Sequence, residues 1–160
     1  MSNLAFNAIS APDAAVAPTA PPVARVVAFF ESMTPGNLGQ LAGLYDSGAR
    51  FVDPFNDVQG LPAIEAIFHH MFMALEEPRF VVMGQVVQGL QCFVLWDFHF
   101  RFKRFAPHTL QTIRGTSHLV FSDAGLVTLH RDYWDAAQEL YEKLPLVGGL
   151  MRWLRKRANS

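Results

Sequence analysis

Residues 93–103 read FVLWDFHFRFK and form the clearest strand pattern in the chain. Successive side chains of a strand point to opposite faces, so this segment sorts into two sets of alternate residues. One set is wholly apolar and consists of Val94, Trp96, Phe98, Phe100 and Phe102. The other set begins apolar and ends charged, and consists of Phe93, Leu95, Asp97, His99, Arg101 and Lys103. The pattern predicts a long strand in which Asp97 lies either at the rim of the fold or inside a pocket.

Length and composition indicate one domain with a large core. The chain has 160 residues, of which 51% are hydrophobic and 14 are phenylalanine. The formal net charge of -1 gives no general attraction to nucleic acid or to an anionic membrane. The single cysteine, Cys92, excludes an intrachain disulfide. Because there is no apolar run of roughly 18 residues and no signal-peptide pattern, we expect a soluble, cytoplasmic protein.

Helical patterns come first in the chain and strand patterns follow. Residues 1–20 are rich in Ala and Pro, which predicts a disordered tail ahead of a domain at 21–145 and a basic C-terminal segment at 146–160. Three helices are expected at about residues 23–33, 38–45 and 62–77. Strands are expected at about residues 49–53, 79–87, 91–103, 109–121 and 126–134, before a last helix after Asp135. This order predicts an α+β fold in which three N-terminal helices pack in a strongly curved antiparallel sheet and leave a cone-shaped cavity.

Two short motifs carry a resemblance to known families. Asp53-Pro54, after two helices and a short strand, resembles the Asp-Pro motif of ketosteroid isomerases, and Gly60 before the third helix fits the same pattern. Residues 130–135, HRDYWD, resemble the last-strand motif of limonene epoxide hydrolases. Both families belong to the nuclear transport factor 2-like superfamily, also called SnoaL-like after a polyketide cyclase. The resemblance covers about residues 23–145 and implies a cystatin-like α+β barrel with an apolar cavity, commonly in a homodimer.

The resemblance also implies which side chains carry function. The implied catalytic residues are Asp53, Asp97, His130 and Asp132. The implied substrate-binding residues are Phe51, Leu95, His99, Ser117, Leu119 and Trp134. Asp53 matches the general base of ketosteroid isomerases, whereas Asp97 and Asp132 match the two acids of epoxide hydrolases.

Three family positions hold other residue types. Ketosteroid isomerases build an oxyanion hole from a Tyr and a protonated Asp. The first helix here has Val26 and Val27 but no Tyr, and Ser117 stands at the position of that Asp. The arginine of epoxide hydrolases is replaced by Leu95. Neither family's full catalytic set is therefore present.

Each implied carboxylate also has a structural interpretation. An Asp before Pro is often a turn former, and this applies to Asp53. Asp97 could share an exposed face with Arg101, and Asp132 could pair with Arg131 or Arg114 at a surface. A buried Asp would instead need a hydrogen-bond partner.

The leading functional hypothesis is a small-molecule enzyme. We expect an isomerase, lyase or hydrolase that uses carboxylate acid–base chemistry on a lipophilic substrate. The alternative is a non-catalytic ligand-binding or dimeric assembly module of the same fold. No cofactor or metal is expected, because the sequence has no H-E-x-x-H motif and no Gly-rich phosphate loop. The basic C-terminal residues fit a solvated helix end better than a membrane contact.

A homodimer through the outer face of the sheet follows from one orientation of residues 93–103. If Asp97 points into the cavity, the apolar set with Trp96 must point outward, and large exposed apolar patches usually mark interfaces. If the set with Trp96 faces the helices instead, Asp97 lies outside. His118 is expected on the face opposite Ser117, in a structural role or at the dimer surface.

Overall fold

The computed structural model describes residues 22–103 and 108–136, which confirm the predicted α+β class. The helices are α1 (Pro22–Glu31), a 3-10 helix (Pro35–Gly43) and α2 (Leu61–Ala74). The strands are β1 (Tyr45–Val52), β2 (Asp57–Gln59), β3 (Leu75–Gln88), β4 (Gln91–Phe102), β5 (Gln111–Phe121) and β6 (Val127–Tyr133). The predicted tail, the basic segment and nearly all of the helix predicted after Asp135 lie outside the described residues.

Both α-helices pack an apolar stripe against the sheet. In α1 the buried residues are Val23, Val26 and Phe29, at the spacing of three that brings side chains to one helix face. In α2 they are Ile64 and Phe68. None of the helices in this part of the chain combines the length and the apolar character that crossing a membrane requires.

The six strands form one sheet in the order β2-β1-β6-β5-β4-β3. Neighbouring strands run antiparallel, except that β1 runs parallel to β6. β2 and the parallel pairing of β1 with β6 were not predicted, because an apolar pattern carries no information about strand direction. Tyr45, predicted at the end of a helix, instead begins β1 and lies beside the last strand.

Strand β3 begins earlier than predicted. Helix α2 ends at Ala74, so Pro78 lies inside β3 and does not mark the end of the helix. β3 is an edge strand, where proline is tolerated because one side of the backbone has no ladder partner. The pairing with β4 is irregular between Glu76 and Arg79, around this proline.

Strand β4 turns its apolar set towards the helices, which is the reverse of the orientation chosen from the resemblance. The residues that β4 contributes to the buried core are Cys92, Val94, Trp96, Phe98 and Phe100. Each large apolar side chain gains about 1.5–3 kcal/mol on burial, so this row outweighs the shorter apolar start of the other face. The prediction that the opposite set lines the cavity is therefore wrong, and it concerned Leu95, Asp97 and His99.

Candidate functional site

A small cavity lies between the helices and the inner face of the sheet. Its volume is about 30 Å³, which is room for roughly two waters. The lining residues are Val26, Val27, Phe30, Phe68, Phe80, Val82, Val94, Trp96, Ser117, Leu119, His130 and Asp132. The polar side chains among them all come from β4, β5 and β6, so the polar atoms of this lining are on the sheet side.

The register of β5 and β6 brings the polar residues together. Ser117 pairs with Asp132, and Leu119 pairs with His130. His130 and Asp132 are two residues apart and therefore share one face of β6. All four of these residues lie in the cavity lining.

A chain of hydrogen bonds converges on Asp132. Its Oδ1 accepts hydrogen bonds from Ser117 Oγ at 2.5 Å and from His130 Nε2 at 2.8 Å. Ser117 Oγ in turn accepts from the Trp96 indole Nε1 at 2.9 Å. His130 Nδ1 accepts from the Tyr45 hydroxyl at 2.5 Å. An ionised carboxylate can only accept, so Ser117 Oγ and His130 Nε2 are the donors to Asp132. With the imidazole neutral, Nδ1 carries no proton and therefore accepts from the Tyr45 hydroxyl.

The Tyr45 end of the hydrogen-bond network is buried, whereas the Asp132 end is partly exposed. Tyr45 is 1% exposed, and its burial, with a smaller contribution from the charge of Asp132, raises the pKa of its phenol well above the usual value. The phenol therefore keeps its proton at neutral pH and remains a donor to His130. The Asp132 side chain is 14% exposed, and no residue of the described part of the chain donates a hydrogen bond to its second oxygen, Oδ2.

Aromatic rings hold His130 in position. The Phe51 ring lies 4.8 Å from the imidazole and the Phe30 ring 5.5 Å, both roughly edge to face. Tyr45 stacks on the imidazole at 6.1 Å. Phe51, which the resemblance implied as a substrate-binding residue, thus packs against His130 and is not part of the cavity lining.

The Trp96 indole depends on a glycine opposite it. Trp96 pairs with Gly115 across β4 and β5, and the indole occupies the space where a Cβ of residue 115 would be. The ring can therefore cross β5 closely enough to donate to Ser117, two residues farther along.

Asp53 does not reach the cavity and serves the turn between β1 and β2. Its Oδ1 accepts from the backbone N–H groups of Phe55 and Asn56, both at 2.7 Å. The Asn56 side-chain amide also donates to both carboxylate oxygens. The carboxylate is thus used as an Asp before Pro commonly is, and its predicted role as a base in the cavity is corrected.

The set on the other face of β4 lies on the outer surface. Asp97 Oδ1 is 4.0 Å from the guanidinium of Arg114, at a partly exposed position. His99 Nδ1 is 2.9 Å from the Thr112 hydroxyl, and Leu95 is 44% exposed. Three side chains that the resemblance placed in the cavity therefore belong to the opposite side of the sheet.

Two further aromatic side chains lie away from the cavity. Trp134 was implied to bind substrate, but its ring packs edge to face on Phe55 at 5.4 Å and does not line the cavity. His118 stacks on Phe93 at 4.6 Å on the outer face, opposite Ser117 as the strand alternation predicted.

Three residues of the site, Tyr45, Phe30 and Phe80, were not predicted from the sequence. Tyr45 matched the apolar face of a predicted helix, and the two phenylalanines matched ordinary core positions, so no local signal separated them from packing residues. Within residues 22–103 and 108–136, no group of three or more His, Cys, Asp or Glu side chains is placed to hold a metal ion.

Comparison with known proteins gives one family match. The sequence profile of the SnoaL-like domain matches residues 26–130. No curated protein matches the chain.

Solved structures share the fold at low sequence identity. A protein of ketosteroid isomerase-like fold from Catenulispora acidiphila, in complex with trimethylamine, is 16% identical, with a TM-score of 0.64 over 77% of this chain and 92% of that one. An NTF2-like protein of unknown function from Burkholderia pseudomallei is 15% identical, with a TM-score of 0.65 over 75% and 95%. TsrD from Streptomyces laurentii is 16% identical, with a TM-score of 0.61 over 76% and 90%. At these identities the likeness is one of fold.

Proposed function

The chain belongs to the SnoaL-like domain family, and on this basis we propose that it binds a lipophilic small molecule in the cavity, with Asp132 as the proton-transferring group. One observation carries the proposal. Asp132 Oδ1 is held by Ser117 and His130, while Oδ2 takes no hydrogen bond from the described residues. One oxygen thus fixes the carboxylate in place and the other remains for a ligand.

This arrangement suits general acid–base catalysis. A carboxylate that is positioned by two donors and surrounded by apolar side chains can take a proton from a bound C–H or O–H group and return it elsewhere. Isomerisation, elimination and addition of water all need such a step. The resemblance implied three catalytic carboxylates, Asp53, Asp97 and Asp132. Asp132 is the one of these that can transfer a proton in the cavity, because Asp53 and Asp97 lie outside it.

Non-catalytic binding is the second candidate, and the size of the cavity favours it. A cavity of about 30 Å³ is small for a polycyclic substrate. The hydrogen bonds from Ser117 and His130 already compensate the burial of the Asp132 carboxylate, so what favours a ligand-facing role is its second oxygen, to which no described residue donates.

The first prediction is that Asp132→Asn sharply lowers turnover. The substitution keeps the shape of the side chain and removes its basicity, so the rate should fall at least about a hundredfold if Asp132 transfers a proton. The measurement is turnover and binding across enones, epoxides and hydroxylated cyclic ketones. Asp97→Asn is the matched control and should leave both unchanged, because Asp97 lies on the outer face. Turnover that survives Asp132→Asn would contradict the assignment of Asp132 as the proton-transferring group.

We also propose a homodimer through the outer face of the sheet. The residues that support it differ from those first expected, since the Trp96 row is buried. The outer face instead presents exposed apolar side chains on β3, β4 and β6, which are Val86, Phe93, Leu95 and Tyr133. Large apolar side chains exposed on one face of a sheet are typical of an interface.

A further inference from the structure

The direction of the hydrogen bonds around Asp132 restricts the kind of ligand group that the cavity can take. The polar protons of the network are all donated within it, by Trp96, Ser117, His130 and Tyr45. Each donating atom carries a single proton, so none is left for a ligand. Among the described lining residues, the polar atom that remains is Asp132 Oδ2, which accepts. A ligand must therefore bring the donor.

The charges of the lining residues point the same way. Within the part of the chain that the structure describes, Asp132 is the acidic residue of the lining and no Lys or Arg contributes to it. An anionic ligand would therefore meet a carboxylate without a compensating cation. A cationic ligand would form a charge-assisted hydrogen bond with that carboxylate, which is stronger than a neutral one.

The aromatic part of the lining also suits a cation. Four rings contribute to it, from Phe30, Phe68, Phe80 and Trp96. Phe80 and Trp96 stand almost perpendicular, at 89°, with centroids 5.5 Å apart. The faces of aromatic rings attract ammonium groups, and sites for alkylated ammonium ions commonly combine several rings.

We propose that the cavity takes a small lipophilic amine as its ammonium ion, which donates its N–H to Asp132 Oδ2 and packs its alkyl groups on the aromatic lining. This inference rests on the proposed function, since Asp132 must be the acid that faces the ligand. A small alkylammonium supplies the donor, the positive charge and the apolar body together.

Four probes of similar shape separate the contributions of charge and donor. Trimethylammonium has both the charge and an N–H, tetramethylammonium has the charge alone, tert-butanol has a donor without the charge, and pivalate has the opposite charge. Calorimetric titration of the full chain at neutral pH gives the Kd of each. We expect trimethylammonium to bind at least about tenfold more tightly than tert-butanol, and pivalate not to bind.

Two variants locate the binding. Asp132→Asn should weaken trimethylammonium at least about tenfold but change tert-butanol less than about threefold, because an amide oxygen still accepts from an alcohol. Phe80→Leu keeps an apolar side chain and removes the ring. It should weaken both ammonium probes more than it weakens tert-butanol. If Asp132→Asn does not fold, the comparison at Phe80 decides.

The outcomes distinguish this inference from the proposed function. Trimethylammonium that binds equally well to the Asp132→Asn variant would overturn the amine assignment. Binding of tert-butanol, or of an uncharged panel compound, through Asp132 and at least as tightly as trimethylammonium would overturn the amine and leave the proposed function standing. If neither the probes nor the panel bind, both fail.

Discussion

Gly115 has no side chain, and this leaves room for the Trp96 indole in the site. A Cβ at this position would lie 2.5 Å from Cζ2 of the Trp96 indole and closer still to Cη2. Non-bonded carbon atoms prefer separations of about 3.5–4.0 Å, so a methyl group there would displace the ring. The position of the indole, and with it the hydrogen bond to Ser117, depends on this glycine.

Gly115→Ala should therefore destabilise the protein. Overpacking of this kind costs about 1–3 kcal/mol, which chemical denaturation would detect as a lower free energy of unfolding. Gly84→Ala is the matched control, because Gly84 is also on a strand and a Cβ there would meet nothing within 4 Å. Similar effects at the two positions would show that the close approach to Trp96 has no particular cost.

Strand alternation could identify some of the site residues but not others. Ser117, His130 and Asp132 fall on inward positions of long strands, and the structure puts them in the lining. Tyr45 lies where the 3-10 helix gives way to β1, and a single aromatic residue at such a boundary fits either periodicity. Its hydrogen bond to His130 joins residues 85 positions apart, which no local pattern reveals.

At the scale of elements, the orientation of β4 decided which carboxylate lies in the cavity. Both of its faces carry apolar residues, so alternation alone left two orientations open. An inward Trp96 puts Asp97 outside, and the structure has that arrangement. The wrong orientation came from a family pattern in which Asp97 matched a catalytic acid.

The turn after β1 shows that a short motif can match a catalytic pattern without being part of the site. Asp53-Pro54 matches a catalytic motif in sequence, yet the Asp53 carboxylate is occupied by two backbone N–H groups and an amide. A dipeptide specifies backbone geometry at least as strongly as chemistry, since Asp before Pro favours a turn. The order of helices and strands is a longer pattern, and it correctly predicted the fold class.

At the scale of the whole molecule, the buried and exposed faces of β4 make the dimer testable. Leu95→Glu, on the outer face and 44% exposed, should split a homodimer into folded monomers. Phe98→Glu is the matched change on the inner face, where the side chain is 8% exposed, and it should unfold the chain because it buries an unpaired charge. Sedimentation equilibrium gives the mass, and circular dichroism reports folding.

Two results would contradict this arrangement. A wild-type protein that stays monomeric at micromolar concentration would contradict the proposed dimer through the outer face. A folded Phe98→Glu monomer would instead show that the apolar row of β4 faces outward, and the cavity as described would then be wrong.

The location of a bound ligand is the most direct test of the account, and the indole N–H resonance of Trp96 reports it. This proton is donated to Ser117 Oγ, which in turn donates to Asp132 Oδ1, so a ligand on the carboxylate must change its environment. In a heteronuclear NMR titration with any compound that binds, assigned with Trp96→Phe, we expect the Trp96 indole signal to shift and the shift to disappear in Asp132→Asn. A bound ligand that leaves the Trp96 signal in place and moves that of Trp134, or shifts Trp96 equally without the carboxylate, would contradict the account.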